Sequence, residues 1–280
     1  MSTLSDGKRV SLLNGDLELL VRELKIDILR LFYHSRTGHL ASALSCIEML
    51  SVLYFWKRLE KDRIILSKGH GTAALYPILA KIGEIDREEL KTFYGYNSRL
   101  FALASHKTPG IEVSTGSLGQ GICFASGLAK AYQLDEEEAK VFCILGDGEM
   151  QEGSVWEAAM FASAQKLDNF AVFLDYNGIQ ASERVETITK IAPVREKWEA
   201  FGWHVEEIDG HDIASIQKVV QDFRNGAYRK PLFVIAHTHK GHGISFIEDR
   251  ADCHMLNPKN EEWETVCREF HISLEELSIS

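Results

Sequence analysis

Val141-Phe-Cys-Ile-Leu-Gly-Asp-Gly-Glu149 sets five apolar residues in a row and ends them on a Gly-Asp-Gly turn. A short run that is apolar at every position, and not at every second one, is the pattern of a strand buried on both faces. Outward from this stretch, similar runs occur at Arg63-Ile-Ile-Leu-Ser67, Ala171-Val-Phe-Leu174 and Pro231-Leu-Phe-Val-Ile-Ala236, with a further strand at His204-Val-Glu-Glu-Ile208. Helical spacing fills the intervals. A helix is expected to about Ile82 after the Lys68-Gly-His-Gly71 turn, another over Gly153 to Lys166, and another over about Ile213 to Asn225. Nearer the start, Leu20, Leu24, Ile28 and Leu31 predict a helix from Asp16, read as its N-cap, to His34; a second should run from about Leu44 to Leu59. Buried strands alternating with helices imply right-handed crossovers. The expected fold is α/β, a doubly wound and mostly parallel sheet with helices on both faces. No repeat or Pro/Ser-rich linker divides the chain, so residues 1–280 are expected to form a single domain with a helical lead-in over about residues 1–60.

Composition narrows the partners. The 280 residues carry 31 basic and 41 acidic side chains, a formal charge of −10, which argues against nucleic acid or an anionic membrane as the main partner. No apolar run approaches the roughly 20 residues needed to cross a bilayer. The start, MSTLSDGKRV, has no apolar segment after its charges, so no secretory signal is expected. Five cysteines without a CxxC pair read as reduced residues of a cytoplasmic protein, which sets aside a disulfide scaffold and a structural zinc site.

Sheets of this kind bind ligands outside the carboxyl ends of their strands. Here one strand ends in Gly146-Asp-Gly-Glu149 and the next in Asp175-Tyr-Asn-Gly178. One strand–helix–strand crossover brings Asp147 and Asn177 to the same edge. A carboxylate, an amide oxygen and nearby carbonyls are hard oxygen donors, suited to Mg²⁺ or Ca²⁺ held together with a phosphorylated ligand. Gly-Asp-Gly by itself is a common turn; the asparagine at the end of the next strand makes the pair specific. Asp175, just before that asparagine, reads equally as a helix- or turn-capping carboxylate. Gly116-Ser-Leu-Gly-Gln-Gly121 is not a dinucleotide fingerprint, because no clear strand precedes it.

The strand–GDG–helix–strand–Asn arrangement resembles the signature of thiamine diphosphate enzymes, and the rest of the chain resembles the N-terminal, diphosphate-binding half of transketolases. Ser35-Arg-Thr-Gly-His39 is similar to that family's SGH segment, and Leu66-Ser-Lys-Gly-His70 to its second histidine motif. Pro109-Gly-Ile-Glu-Val-Ser-Thr-Gly-Ser-Leu-Gly-Gln-Gly121 resembles its cofactor loop. Gly146-Asp-Gly-Glu-Met-Gln-Glu-Gly-Ser-Val-Trp-Glu157 is close to a family consensus, and Thr238-His-Lys-Gly-His-Gly-Ile-Ser-Phe-Ile-Glu248 with His254 resembles the segment that closes over the diphosphate. The motifs are in the family's order and cover about residues 16–260.

The resemblance implies roles residue by residue. Asp147, Asn177 and the backbone carbonyl of Ile179 would coordinate Mg²⁺ or Ca²⁺. Gly116, Ser117 and Leu118 would contact the aminopyrimidine side of thiamine diphosphate, and Gly148 its diphosphate. Lys240 and His254 would meet the diphosphate or the substrate entrance. His39 and His70 would face the reacting end of the cofactor, where they hydrogen-bond sugar hydroxyls and move protons. Glu152 resembles a glutamate at the subunit interface that links paired active sites. His34, His204, His211, His237 and His271 are read as structural or exposed.

Three departures qualify the match. The family carries a third histidine, in a GHP segment shortly before the cofactor loop; here that register falls on apolar Leu100-Phe-Ala-Leu-Ala104, with His106 a few places later. Either a shortened loop still delivers His106 or the function of that histidine is lost. The usual GKG reads Gly241-His-Gly243. After Glu261 only about twenty residues follow, too few for another domain. In transketolases the glutamate that activates the cofactor lies in a second, pyrimidine-binding domain. The resemblance therefore implies three things: a separate C-terminal subunit; assembly of the two chains as an α2β2 heterotetramer; and transfer of a two-carbon ketol unit from a ketose or sugar phosphate to an aldehyde. Two alternatives stand beside it: a specialised carbon–carbon ligase using a 2-oxo acid or unusual ketose donor, and a non-catalytic scaffold.

Overall fold

The structure, a computed structural model, describes residues 14–56, 60–181 and 183–278. Five parallel strands form one sheet: β1 (Arg63–Leu66), β2 (Val141–Gly146), β3 (Phe170–Tyr176), β4 (His204–Asp209) and β5 (Leu232–His237). Their order across the sheet is β1-β2-β3-β5-β4. Each apolar run supplies both layers because successive side chains alternate between faces. Phe142 and Ile144 of β2 enter one core; Val141, Cys143 and Leu145 enter the other. The first layer is built by α1 (Asn14–Ser35), α2 (Leu40–Leu44), α3 (Ile47–Phe55), α4 (Leu75–Ile82), α9 (Ile213–Arg224), α10 (Glu262–Phe270) and α11 (Leu274–Ser278). The second is built by α5 (Gln120–Leu134), α6 (Gly153–Ala164), α7 (Val185–Ile188) and α8 (Val194–Ala200). The doubly wound expectation is met. In the second layer Trp198 stacks on Phe233 of β5 with centroids 3.7 Å apart, so it packs and does not face a ligand.

The structure corrects three local expectations. Asp16 lies inside the first turn of α1, which begins at Asn14, so it interacts with the helix N-terminus and does not cap it. The helix expected over 44–59 is two helices, broken at Ser45-Cys46, and its last three positions lie outside the described residues, as does the start of the lead-in. The break frees the Ser45 hydroxyl to bond Asp175 on β3, a tertiary contact that no local pattern announces. After β1 the chain makes a 3₁₀ turn over Gly69–Ala74 before α4 begins. Gly69 explains the tight path: a Cβ there would stand 2.8 Å from the backbone of Thr115 and Gly116. Among the described residues no helix is long and apolar enough to cross a membrane.

Candidate active site

Four strand ends converge at the carboxyl edge of the sheet. β2 delivers Asp147, which is 3% exposed. Its carboxylate accepts the backbone N–H of Gly148 at 2.7 Å and that of Gly178, the residue after Asn177. The Gly-Asp-Gly turn and the Asn-Gly turn after β3 are thereby locked together. Asn177 is oriented in turn: its amide nitrogen donates to Asp175 at 3.2 Å, and its amide oxygen accepts from Ile179 N–H at 3.1 Å. The Ile179 carbonyl accepts from Lys240 Nζ at 3.1 Å, as does the Gln180 carbonyl. Asp147, Asn177 and Ile179 therefore share one turn-on-turn contact, and Lys240 comes to it from the loop after β5.

Beside Lys240 stand three imidazoles. The rings of His39, His70 and His254 lie 4.8, 4.7 and 5.1 Å apart between centroids. His254 Nδ1 is 3.5 Å from Lys240 Nζ. Burial lowers all three; for His39 the neighbouring His70 and the ammonium groups of Lys240 and Lys68 add to it, bringing it down to about 4. His254, lowered by burial and then by Lys240, falls to about 3. All three are thus neutral near pH 7, each with one donor and one acceptor nitrogen. His39 Nδ1 is buried and has no hydrogen-bond partner among the described residues, an orphan that a bound hydroxyl or polar group would satisfy.

Under the edge lies an ion pair that no sequence pattern announces. Lys68 (β1 end) and Asp175 (β3) are both buried and paired. Asp175 also accepts from Ser45 Oγ at 2.6 Å and from Thr238 Oγ1, while Lys68 donates to the Ser42 carbonyl at 3.2 Å. Burial would lower Lys68 and raise Asp175, but their mutual attraction prevails and keeps both charged. Asp175 is therefore a positioning carboxylate for Asn177, not a turn cap. Glu149 is similar: its buried carboxylate accepts from Ser67 Oγ, from Gly119 N–H at 2.8 Å and from Gly146 N–H at 3.1 Å. It ties the end of β2 to the loop ahead of α5. The signal for Lys68 lay in Leu66-Ser-Lys-Gly-His70, where the histidine drew the attention.

The other expected site residues divide. Gly116, in a left-handed region with φ +135°, lies against the Leu103 side chain and, through Gly69, beside His70. Ser117 is exposed and Leu118 half-buried on the same loop. At Gly148 a Cβ would meet the Gln180 side chain at 2.7 Å, so only glycine lets the two turns close. His106 is exposed, its ring 2.8 Å from Ser114 Oγ, and it is not one of the three clustered rings; the register of the third family histidine is taken by the Leu100–Ala104 stretch. Glu152 is an exposed carboxylate at the start of α6, packed beside Gly119.

The donor set can be tested against a metal. Burial, and then the charge of Asp175, push Asp147 up to about 6, because a carboxylate with a second carboxylate nearby is costly to ionise. A dication beside it removes that cost, and hard oxygens from a carboxylate, an amide and a carbonyl are what Mg²⁺ and Ca²⁺ take. The residues fit the group.

Residues 18–276 match the family model described as the transketolase, thiamine diphosphate-binding domain. The chain belongs to the transketolase family. Relatives of this transketolase chain include one subunit of an apulose-4-phosphate transketolase from Phocaeicola vulgatus, 36% identical over 272 residues, covering 93% of this chain and 96% of the relative. One subunit of a 6-deoxy-6-sulfo-D-fructose transketolase from a Clostridium species is 40% identical over 247 residues, covering 83% and 88%. The crystal structure of transketolase from Campylobacter jejuni superposes with a TM-score of 0.85 at 29% identity, over 94% of this chain and 44% of that one. The transketolase chain thus matches relatives named as single subunits nearly end to end, and a longer transketolase over less than half its length.

Proposed function

We propose that this chain is the diphosphate-holding subunit of a two-chain transketolase that moves a two-carbon ketol unit from a ketose to an aldehyde. The observation that carries the reading is the shared edge where Asp147, Asn177 and the Ile179 carbonyl meet Lys240 beneath three neutral imidazoles. Asp147, Asn177 and the Ile179 carbonyl hold Mg²⁺ or Ca²⁺; Lys240 and His254 face the diphosphate, with Gly148 leaving room for it. Gly116, Ser117 and Leu118 line the pyrimidine side, next to His70. When bound, thiamine diphosphate supplies the carbanion stabilisation that breaking a carbon–carbon bond requires. His39 and His70, being neutral, bind sugar hydroxyls and carry protons to and from them.

The names of the relatives, each given as one subunit of a transketolase, support a partner chain. That partner contributes the pyrimidine-binding domain and the activating glutamate, in an α2β2 assembly with Glu152 at the subunit contact. The two packed layers on one sheet support reading the chain as one domain, and five unbridged cysteines fit the cytoplasm. The test is reconstitution: ketol transfer should need both chains, thiamine diphosphate and Mg²⁺. Turnover by this chain alone would end the two-chain reading. Calorimetry on the reconstituted complex should show metal-dependent cofactor binding that Asp147→Ala abolishes; no binding by the unaltered complex would favour a scaffold.

A second observation bears on the donor. Leu103 lies against Gly116, and His106 is not among the clustered rings, so this wall of the site is more apolar than a third histidine would make it. Relatives named for apulose 4-phosphate and for a sulfonated deoxyketose fit such a wall. The apolar wall supports a donor with fewer hydroxyl contacts on this side, and the names of these relatives support an unusual ketose with an anionic terminus held elsewhere in the complex. A donor screen read by product mass tests this, and turnover of ordinary pentose phosphates only would exclude it.

A further inference from the structure

A second histidine cluster lies beyond the site, on the far side of the loop that carries Lys240. His211, in the turn between β4 and α9, stacks on His242 with centroids 3.8 Å apart and planes at 22°. The backbone N–H of His239 donates to His211 Nε2 at 2.9 Å. The residues on either side of Lys240-Gly241 are thus both held by one imidazole. An imidazole that accepts at Nε2 carries its proton on Nδ1, and His211 Nδ1 lies 3.2 Å from Glu48 Oε2, close enough for an ion pair but not aligned as a hydrogen bond, so both buried atoms are without a hydrogen-bond partner among the described residues. Glu48, in the first turn of α3, is 3% exposed. Its other oxygen is 2.5 Å from Lys25 Nζ. His242 is held from its other side, with Nδ1 3.2 Å from Glu248 Oε2. The neighbouring turn closes the fit, since a Cβ at Gly210 would stand 2.4 Å from the Thr238 side chain.

Glu48, His211 and His242 are also residue types that bind transition metals, with candidate ligand atoms within 4.8 Å of one another. The hydrogen bonding argues otherwise. A metal on Nδ1 would displace the proton that the His239 N–H fixes there. Two nearly parallel, face-to-face imidazoles also do not share an in-plane point about 2 Å from both.

We infer that His211, backed by the Glu48 carboxylate, is a positioning residue for Lys240: it clamps the 239–242 turn so that the ammonium stands at the Ile179 and Gln180 carbonyls, within reach of the diphosphate. The inference rests on the proposed cofactor site and adds the residues that aim its lysine.

A double-mutant cycle on the full chain, and on the complex with its partner, tests it. Thiamine diphosphate affinity is measured by calorimetry with Mg²⁺ for the unaltered chain, Lys240→Ala, His211→Ala and the double variant. Losing one charge-assisted contact should weaken binding about tenfold. His211→Ala should approach the Lys240→Ala loss, and the double variant should be no weaker than Lys240→Ala alone, since a clamp has nothing left to aim. His211→Gln, whose amide oxygen can accept the His239 N–H, should recover part of the affinity, and it also serves if the alanine variant does not fold. In the complex, the apparent cofactor constant should rise while kcat at saturating cofactor stays within about twofold. Equal losses from His211→Ala with and without Lys240 would overturn the clamp, as would zinc retained by the unaltered chain and released by Glu48→Gln. Absence of cofactor binding by the unaltered complex would instead refute the proposed site itself.

Discussion

At the residue scale, the site separates groups that face a ligand from groups that hold them. Asp147 and Asn177 were legible because each ends an apolar run, and the position of a strand end tells which edge a side chain joins. Lys68 and Asp175 were not, since a buried ion pair between strands that are not neighbours leaves no spacing to read. Asp175→Ala would strand the Lys68 ammonium in the core and should cost about 3–5 kcal/mol in denaturant melts. The pair Lys68→Met with Asp175→Leu should restore part of that stability, the Ser45 and Thr238 hydroxyls losing an acceptor, but not metal-dependent cofactor binding, since Asn177 loses its orienting acceptor. Recovery of both would make the pair merely structural. The neutral imidazoles have a pH consequence. His39 and His254 are lowered by burial to about 4 and about 3, so between these values and the ordinary 6.5 the unfolded chain binds protons that the folded chain does not. Cofactor-free stability should therefore fall as pH drops from about 6.5 toward 4, and His39→Asn with His254→Asn should flatten the slope of melting temperature against pH.

At the element scale, strands β1, β2, β3 and β5 were readable because burial on both faces leaves unbroken apolar runs. The break between α2 and α3 was hidden, as neither Gly nor Pro marks it and its cause is the reach of Ser45 to another element. Helices α5 and α6 raise a different matter. They pack side by side, yet Phe124 is 62% and Met160 52% exposed, with Phe161 and Leu134 also outward. A Cβ at Gly127 or Gly153 would meet nothing within 4 Å, so a neighbour can approach the backbone closely. This face suits the subunit contact proposed for Glu152. Phe124→Asp and Phe161→Glu should leave the melting temperature of the isolated chain unchanged within about 1 °C, because exposed positions contribute little to its fold. Both should abolish co-elution with the partner. Unaltered assembly would move the contact elsewhere.

Across the whole molecule, the site draws on the ends of β1, β2, β3 and β5, with His39 and His254 brought in from the segment before α2 and the loop after β5. Ligand binding should therefore be felt by the entire sheet. At one hundred times its dissociation constant, thiamine diphosphate with Mg²⁺ should add about 2.7 kcal/mol to the unfolding free energy, seen as a single shifted transition. A shift confined to part of the chain would show that the layers melt separately.

If the proposed metal site holds, the contact between Lys240 and the Ile179 carbonyl would also set an order of arrival. A bare dication would meet an ammonium already seated on one of its proposed oxygens, whereas a diphosphate would draw that ammonium toward itself and free the carbonyl. Mg²⁺ alone should thus bind this chain far more weakly than Mg²⁺ titrated in the presence of thiamine diphosphate, and Lys240→Ala should narrow the gap. Cells with abundant magnesium would then leave the empty protein unloaded until the vitamin is at hand.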